Sequence, residues 1–231
     1  TLETQAGLRQ EIAGVGTFDI ALVASPLATK VWKDPYAVDV PRGDTERTTN
    51  GIYLAWDGIF DAPLEVQYRA KEIEVDDEES GQSLDLSPQQ RRLLKRTGNV
   101  YRVNLNYRWQ IDERNELVPG LTYLDFDLDG AAMTEDGFGA QLKYAYEANG
   151  WRLVSRVYYQ RLESGTENPV YGKQREVDAL GGSVTGFYPK PFGLERWTAN
   201  ATVAVHDGDS NIDFYDTSLW MVSLGMLYGF D

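Results

Sequence analysis

The chain has 231 residues, with 22 Lys and Arg against 36 Asp and Glu, and a net charge of −14 at pH 7. So acidic a chain is a poor binder of nucleic acid, because phosphate contacts require an excess of basic side chains. The sequence has no Cys and one His, which excludes disulfides, thiolate ligands and metal sites built from several His. No run of about 18 apolar residues predicts a transmembrane helix.

Alternation of apolar and polar residues predicts about eleven β-strands. They lie near residues 2–12, 16–30, 48–60, 63–75, 98–111, 117–128, 137–148, 151–163, 177–189, 195–207 and 217–230. The most regular is the fifth, in which Val103 and Leu105 alternate with Arg102, Asn104 and Asn106. Most of these strands have about ten residues or more, whereas the usual strand of a soluble protein has about five or six. Roughly nine to eleven tilted residues cross a bilayer.

Aromatic residues mark both ends of the predicted apolar rows. One set is Trp56, Phe60, Trp109, Trp151, Trp197 and Tyr228, and the other is Tyr101, Phe126, Phe138, Tyr159 and Trp220. Tight turns alternate with longer, mostly acidic loops at 33–47, 74–97, 128–137, 163–176 and 207–216. Aromatic girdles, short turns and long outer loops are typical of bacterial outer-membrane barrels. We therefore predict an all-β fold, an antiparallel transmembrane β-barrel, over the soluble β-sandwich that also has two-sided strands.

The odd number of predicted strands bears on domain organisation. Bacterial single-chain barrels have an even number of strands, and lipid cannot satisfy an open sheet edge. The sequence thus predicts one barrel domain over residues 1–231 that lacks one or three N-terminal strands, with 12 or 14 strands in the complete protein. The alternative is that one strand has been split or missed.

If the apolar rows face lipid, the opposite rows face a lumen that carries both signs of charge. The basic residues placed inside are Arg9, Arg69, Lys71, Arg102, Arg108, Lys143, Arg152 and Arg156, and the acidic ones are Glu3, Glu11, Asp19, Asp57, Glu65, Asp125, Asp127 and Glu147. We predict that the pore lining comprises Arg69, Arg102, Arg108, Asp125, Asp127, Lys143, Arg152 and Arg156. Opposed charges either set a transverse field in a wet pore or pair across a narrow lumen and close it.

The loop at 74–97 contains a predicted short basic helix. Ser87 suits the N-cap, Pro88 the first helical position, and Gln90 completes a capping box. One hypothesis folds this loop into the mouth as an anion-selecting constriction, formed by Arg91, Arg92, Lys95 and Arg96. In the alternative, the helix is solvated and pairs with its acidic neighbours or with lipopolysaccharide phosphates.

Two further motifs suggest chemistry. Asp125, Asp127, Asp129 and Asp136 have the spacing of a calcium loop, although strands and not helices flank them. Acidic hairpin loops are also common without calcium, so no cofactor is expected beyond a possible Ca²⁺ at the outer loops. His206 precedes Ser210, an order compatible with a hydrolase at the barrel mouth. Its place among inward polar residues indicates instead a wall histidine, so no enzyme is predicted.

Several segments resemble a known family. They are Val31–Tyr36, Leu93–Gly98, Leu121–Tyr123 with Asp127–Gly130, Asn168–Lys173 and Ser210–Ser218. Together they resemble the porin-like protein L family, a family of bacterial outer-membrane barrels whose domain has no assigned function. The resemblance implies a presumed pore and supplies no catalytic residues.

The expected function is an outer-membrane channel for passive diffusion of small polar or ionic solutes. The alternative is a non-conducting structural or adhesion barrel that acts through its acidic outer loops. Membrane lipid, lipopolysaccharide and small polar solutes are the expected partners, and nucleic acid is not.

Overall fold

A computed structural model describes residues 4–25, 47–75, 85–148 and 150–229. These residues form one antiparallel sheet of twelve strands. The strands are β1 (Thr4–Ile12), β2 (Gly16–Ser25), β3 (Arg47–Asp57), β4 (Leu64–Val75), β5 (Gly98–Tyr107), β6 (Trp109–Gln110), β7 (Asn115–Leu128), β8 (Glu135–Ala148), β9 (Trp151–Asn168), β10 (Lys173–Pro189), β11 (Trp197–Ser210) and β12 (Thr217–Tyr228). The predicted all-β antiparallel class is confirmed.

Each long strand pairs with the one that follows it in the chain. The order is β1-β2-β3-β4-β5-β7-β8-β9-β10-β11-β12, and the two-residue β6 continues the pairing of β5 with β7 beyond Arg108. The eleven predicted strands therefore correspond to β1–β5, the latter extended by β6, and β7–β12. Among the described residues, β1 and β12 each have a single partner and form the two edges. The predicted loop at 33–47 lies mostly outside those residues.

The pairing register sorts the side chains into two faces. Ile20 lies opposite Leu54, and the row continues through Tyr68, Val103 and Tyr123. Because side chains two residues apart share a face, these rows define what we call the apolar face. The opposite rows, which contain Arg102 and Lys143, define the polar face. We call the end of the sheet with the short connections the turn end, and the other the loop end.

The apolar face has no cover in the described structure. Leu224 is 81% exposed, Trp220 75% and Leu8 77%. Burying one Leu-sized side chain is worth about 1.5–3 kcal/mol. Ten such residues left in water therefore forgo roughly 20 kcal/mol, which exceeds the ~5–15 kcal/mol stability of an ordinary domain. This face needs an apolar environment.

A small core lies at the loop end, on the polar side of the sheet. Val23, Ile73 and Leu124 are buried there, and so are Leu94 and Ala132 of the connecting loops. Backbone hydrogen bonds tie the two loops together, since the Ala132 N–H donates to the Leu93 carbonyl at 3.0 Å. Loop residues therefore fold inward over this end of the polar face.

The connections differ from prediction mainly in length. β9 extends to Asn168 and β10 begins at Lys173, so the predicted loop at 163–176 shrinks to residues 169–172. The sequence of this segment is polar and lacks the apolar–polar alternation that predicts a strand. Because the hairpin of β9 and β10 extends beyond the neighbouring strands, it does not need an apolar face. The predicted short helix is present as α1 (Pro88–Arg92), with the capping box of Ser87 and Gln90 in place. None of the described helices has the length and apolar character needed to cross a membrane.

Candidate functional site on the polar face

The structure places most of the predicted pore-lining residues on the polar face. Register and alternation put six of the eight there: Arg69, Arg102, Arg108, Lys143, Arg152 and Arg156. Asp125 and Asp127 belong to the other face, because they lie opposite Tyr101 and Asn99, in the same alternation as Leu121. This corrects their assignment to the pore lining. The prediction relied on the charge of these two residues. The register shows that they continue the row of Leu121 on the apolar face, where the side chains become polar near the loop end.

Some charges of the polar face are paired with neighbours along the sheet. Arg9 and Asp19 lie directly opposite each other on β1 and β2 and form two hydrogen bonds, of 2.7 and 2.9 Å. A guanidinium nitrogen of Arg108 lies 3.1 Å from Asp57 Oδ2. The first pair joins the adjacent strands β1 and β2, and the second connects the end of β3 with the end of β5 across β4.

Farther along the sheet, basic residues lie next to one another on neighbouring strands. Lys143 and Arg156 lie directly opposite each other on β8 and β9, and Arg102 lies opposite Arg69 on β4. Like charges in these positions are destabilising. Among the described residues, Arg102, Lys143 and Arg156 form no salt bridge, and Arg156 Nε is buried without a hydrogen-bond partner. An arrangement of neighbouring basic side chains that costs stability and has no salt bridge among the described residues suggests a binding role.

A chain of amide hydrogen bonds runs beside these residues. Asn106, 0% exposed, donates to Glu65 Oε2 at 3.0 Å and accepts from Gln141 Nε2 at 2.8 Å. Gln67 donates to the other oxygen of Glu65 at 2.7 Å. The Glu65 carboxylate is therefore occupied by amide donors. Gly120 lies under the bond between Asn106 and Gln141, where a Cβ would collide with the Asn106 amide oxygen.

A recess of about 180 Å³ opens on the polar face between Arg102 and Arg156. Thr122, Gly139 and Gln160 lie side by side on β7, β8 and β9 and line it. Because Gly139 has no side chain, the middle of this row stays open. The remaining polar lining includes Gln141, Tyr158 and His206. Two guanidinium groups thus face a space surrounded by neutral hydrogen-bonding groups.

Tyr158 and His206 form the far wall of this recess. The Tyr158 ring lies over Gly181 of β10, where any Cβ would overlap it, and so reaches the next strand. Its hydroxyl lies 2.8 Å from His206 Nδ1, and the guanidinium of Arg156 lies 4.9 Å from its ring centre. His206 Nε2 lies 3.2 Å from the Thr217 hydroxyl.

The hydrolase alternative receives no geometric support from these contacts. Both ring nitrogens of His206 have partners other than Ser210. The Ser210 hydroxyl donates instead to the Glu176 carbonyl at 2.8 Å. His206 is held as a wall residue in this arrangement.

A second cluster, at the loop end, was not predicted from the sequence. The pairing of β9 with β10 is irregular at Arg175, which stands alone between Gln174 and Glu176 opposite residues 164–166, and Arg175 forms a close ion pair with Glu135 on β8. Its guanidinium also lies 4.3 Å from the ring centre of Tyr215. Burial raises the pKa of Glu135, and the positive charge of Arg175 opposes that rise. Burial likewise raises the pKa of Tyr215.

The basic loop predicted as a constriction is only partly inward. Arg91, Arg92 and Lys95 are exposed, while Leu94 between them is buried. Arg96 is half-buried. The loop is anchored through Leu94, and Arg91, Arg92 and Lys95 are exposed to solvent. A role for them as a constriction stays a prediction.

The acidic motif does not form a compact cage. Asp125 and Asp136 lie opposite each other on β7 and β8. Within the described part of the chain, which contains all four predicted ligands including Asp129, no three acidic or His side chains come together as a metal site requires. Alternation spreads the motif along an extended strand, whereas a calcium loop curls around its ion.

Aromatic side chains of the apolar face form two belts. At the turn end, Trp56 stacks on Phe18 with ring centres 5.2 Å apart, and Trp151 stacks on Tyr188 at 4.6 Å. At the other end, Phe138 is 67% exposed and contacts Tyr123 at 5.0 Å. Phe126 is a correction to the predicted set, because its pairing with Val100 puts it on the polar face.

Comparison with known proteins identifies the family. The family described as "Protein of unknown function (DUF2860)" matches residues 1–229. The chain belongs to this family. No curated protein matches the chain.

One solved structure with a similar course of chain is the ferric yersiniabactin uptake receptor FyuA from Yersinia pestis, which is 13% identical with a TM-score of 0.31. The match covers 97% of this chain and 40% of that receptor. This chain therefore spans less than half of the receptor's length. A likeness at this level carries no argument about fold or function.

Proposed function

We propose that this DUF2860 protein is a β-barrel of the bacterial outer membrane and a channel for passive diffusion of small polar or ionic solutes. We also propose that it belongs with the porin-like protein L proteins that its motifs resemble. The acidic outer loops then face the cell exterior, in contact with lipopolysaccharide.

One observation carries this proposal: the two faces of the same sheet differ completely in chemistry. The apolar face is exposed, lacks a protein partner among the described residues, and ends in aromatic belts. Lipid-facing surfaces of outer-membrane barrels have this composition. The polar face carries charged and amide side chains along most of the strand length, which suits a wall in contact with water.

The alternative, a non-conducting structural or adhesion barrel, also has support. Loop residues Leu94, Ala132 and Ile212 are buried at the loop end, so the loops cover part of the proposed mouth. Ion pairs and amide bonds of the polar face could likewise fill a narrow lumen.

Single-channel recording separates the two functions. The protein is folded in detergent, checked for heat-modifiable migration on gels, and inserted into a planar bilayer between KCl solutions. The channel function predicts discrete ohmic steps and a reversal potential in a salt gradient. A correctly folded protein that inserts without conductance would contradict it and favour the scaffold.

Localisation is tested separately by fractionating the membranes of cells that express the protein. Recovery with outer-membrane markers supports the proposal. Recovery in the periplasmic or cytoplasmic fraction would overturn it, whatever the bilayer recording shows.

A further inference from the structure

We propose that the recess between Arg102 and Arg156 binds the oxyanion group, carboxylate or phosphate, of a small solute. The inference rests on the proposed channel function for access to the recess, and it adds a ligand class and a binding site. Three independent features of the recess support it: uncompensated charge, shape and donor chemistry.

Charge is the first feature. Arg102, Lys143 and Arg156 form no salt bridge within the described residues. Their neighbours on the adjacent strands include further basic residues. Carboxylates are present on the same face, but Glu65 is held by Asn106 and Gln67. Asp19 is likewise held by Arg9. The protein's own anions are thus committed elsewhere, and the positive charge at the recess remains available to a ligand.

Shape is the second feature. The recess volume of about 180 Å³ is several times the roughly 30 Å³ that one water molecule occupies in the liquid. Gly139 keeps its floor open, since a Cβ there would lie 2.8 Å from the Tyr159 carbonyl oxygen and 3.1 Å from Gln160 Cβ. The space therefore suits a group of several heavy atoms together with some of its water.

Donor chemistry is the third feature. Guanidinium groups bind carboxylates and phosphates through parallel N–H donors, and these charged hydrogen bonds are stronger than neutral ones. Arg156 Nε is buried with no acceptor among the described residues. The Gln141 amide and the Thr122 hydroxyl line the same recess. An oxyanion would satisfy the unmatched guanidinium donor and relieve the repulsion between the basic side chains.

The test uses inorganic phosphate and acetate as probes on the full chain in planar bilayers. We expect millimolar phosphate to reduce or interrupt the KCl current, with saturation, and acetate to act more weakly. In the double variant Arg102→Gln/Arg156→Gln, the phosphate concentration for half-block should rise at least tenfold. Arg9→Gln is the control for the single variants Arg102→Gln and Arg156→Gln, because each removes one charge from the same face and that of Arg9 is paired with Asp19; its half-block should change less than twofold.

Calorimetric titration of the detergent-folded protein with phosphate provides a readout that needs no conductance. Saturable binding that is lost in the double variant and kept in Arg9→Gln supports the site, even if the bilayer is silent and the channel function fails. A conducting protein that phosphate neither blocks nor binds would overturn the site and leave the channel standing. Equal loss of binding in Arg9→Gln would also overturn it, because the effect would then be one of net charge.

Discussion

Two arginines on the polar side of the sheet show how differently one residue type can be used. Arg175 at the loop end has only 12% of its side chain exposed, is paired with Glu135 and lies against the Tyr215 ring. Arg156 in the recess has no carboxylate partner among the described residues, and lies opposite Lys143. The first arrangement satisfies the charge and ties two strands together. The second leaves the charge unsatisfied where a solute could reach it.

The difference follows from the backbone as much as from the side chains. A β-bulge bends the strand pair and changes the direction of nearby side chains; the irregularity where Arg175 faces residues 164–166 of β9 accompanies the contact of its guanidinium with a carboxylate 40 positions away in sequence. Arg156 follows the regular alternation of β9, so the register dictates its neighbours, and these are Lys143 and Ser183. We infer that pairing marks the structural arginine and its absence marks the binding arginine.

The largest expected effect comes from breaking the paired site. Arg175→Met should lower the free energy of unfolding by about 3–5 kcal/mol, because it leaves the Glu135 carboxylate buried without its partner. Urea unfolding of the protein in lipid vesicles, followed by heat-modifiable migration, measures the change. The double variant Glu135→Gln/Arg175→Met should recover most of it.

The matched change in the recess is Arg156→Met. Its stability should stay within about 0.5 kcal/mol of the parent or increase, since Lys143 loses a like-charged neighbour. If Arg156→Met were as damaging as Arg175→Met, Arg156 would also be structural and the comparison would be wrong.

The sequence predicted these two regions unequally. Period-two alternation was sufficient for every long strand, because each apolar row spans many residues. It also put Arg102, Lys143 and Arg156 on one face. Asp125 was assigned to the wrong face because its charge was given more weight than its alternation with Leu121, and the pairing with Tyr101 confirms the alternation.

The pair of Arg175 and Glu135 left no local signal at all. A bulge and a partner 40 residues away are tertiary facts that arise when β8, β9 and β10 align. The recess was missed for a similar reason, since Gly139 and Gly181 matter only through what lies beside them on neighbouring strands. The sequence did contain a sign of the recess, because a glycine within a strand often marks a place where another group comes close to the backbone.

A smaller effect is expected for the amide chain that borders the recess. Asn106→Ala should cost about 1–3 kcal/mol, because it removes partners from Glu65 and Gln141 in a buried position. Asn104→Ala is the control, since Asn104 also has two partners, Gln67 at 3.3 Å and Thr122 at 2.8 Å, but is less buried. The same unfolding assay measures both variants, and equal losses would show that burial of Asn106 is irrelevant.

The wall of the recess should be more tolerant still. Tyr158→Phe removes the hydroxyl that lies 2.8 Å from His206 Nδ1 and keeps the ring over Gly181. We expect a loss of about 0.5–1.5 kcal/mol, with phosphate block changed less than in Arg156→Gln. If phosphate block changed more in Tyr158→Phe than in Arg156→Gln, the Tyr158 hydroxyl, and not the Arg156 guanidinium, would be the main contact of the anion.

The smallest effect is a pH dependence of the paired site. Because burial raises the pKa of Glu135, the folded protein binds its proton more readily than the unfolded chain, where the ordinary value is about 4.3. Between that value and the raised pKa, the contribution of Glu135 to stability falls as the pH rises. The stability of the parent minus that of Glu135→Gln should therefore decline across this window.

Asp112 supplies a control of opposite sign. Hydrogen bonds from the backbone of Arg114 and from Asn115 lower the pKa of its carboxyl, so its contribution is present above the ordinary value of about 3.9. That contribution is lost as the pH falls through the lowered pKa. The stability difference between the parent and Asp112→Ala should thus shrink toward acid, whereas the difference for Glu135→Gln should shrink toward neutral pH. If the Glu135 difference also shrank toward acid, the attraction of Arg175 would outweigh burial, and the paired site would be stabilised by charge after all.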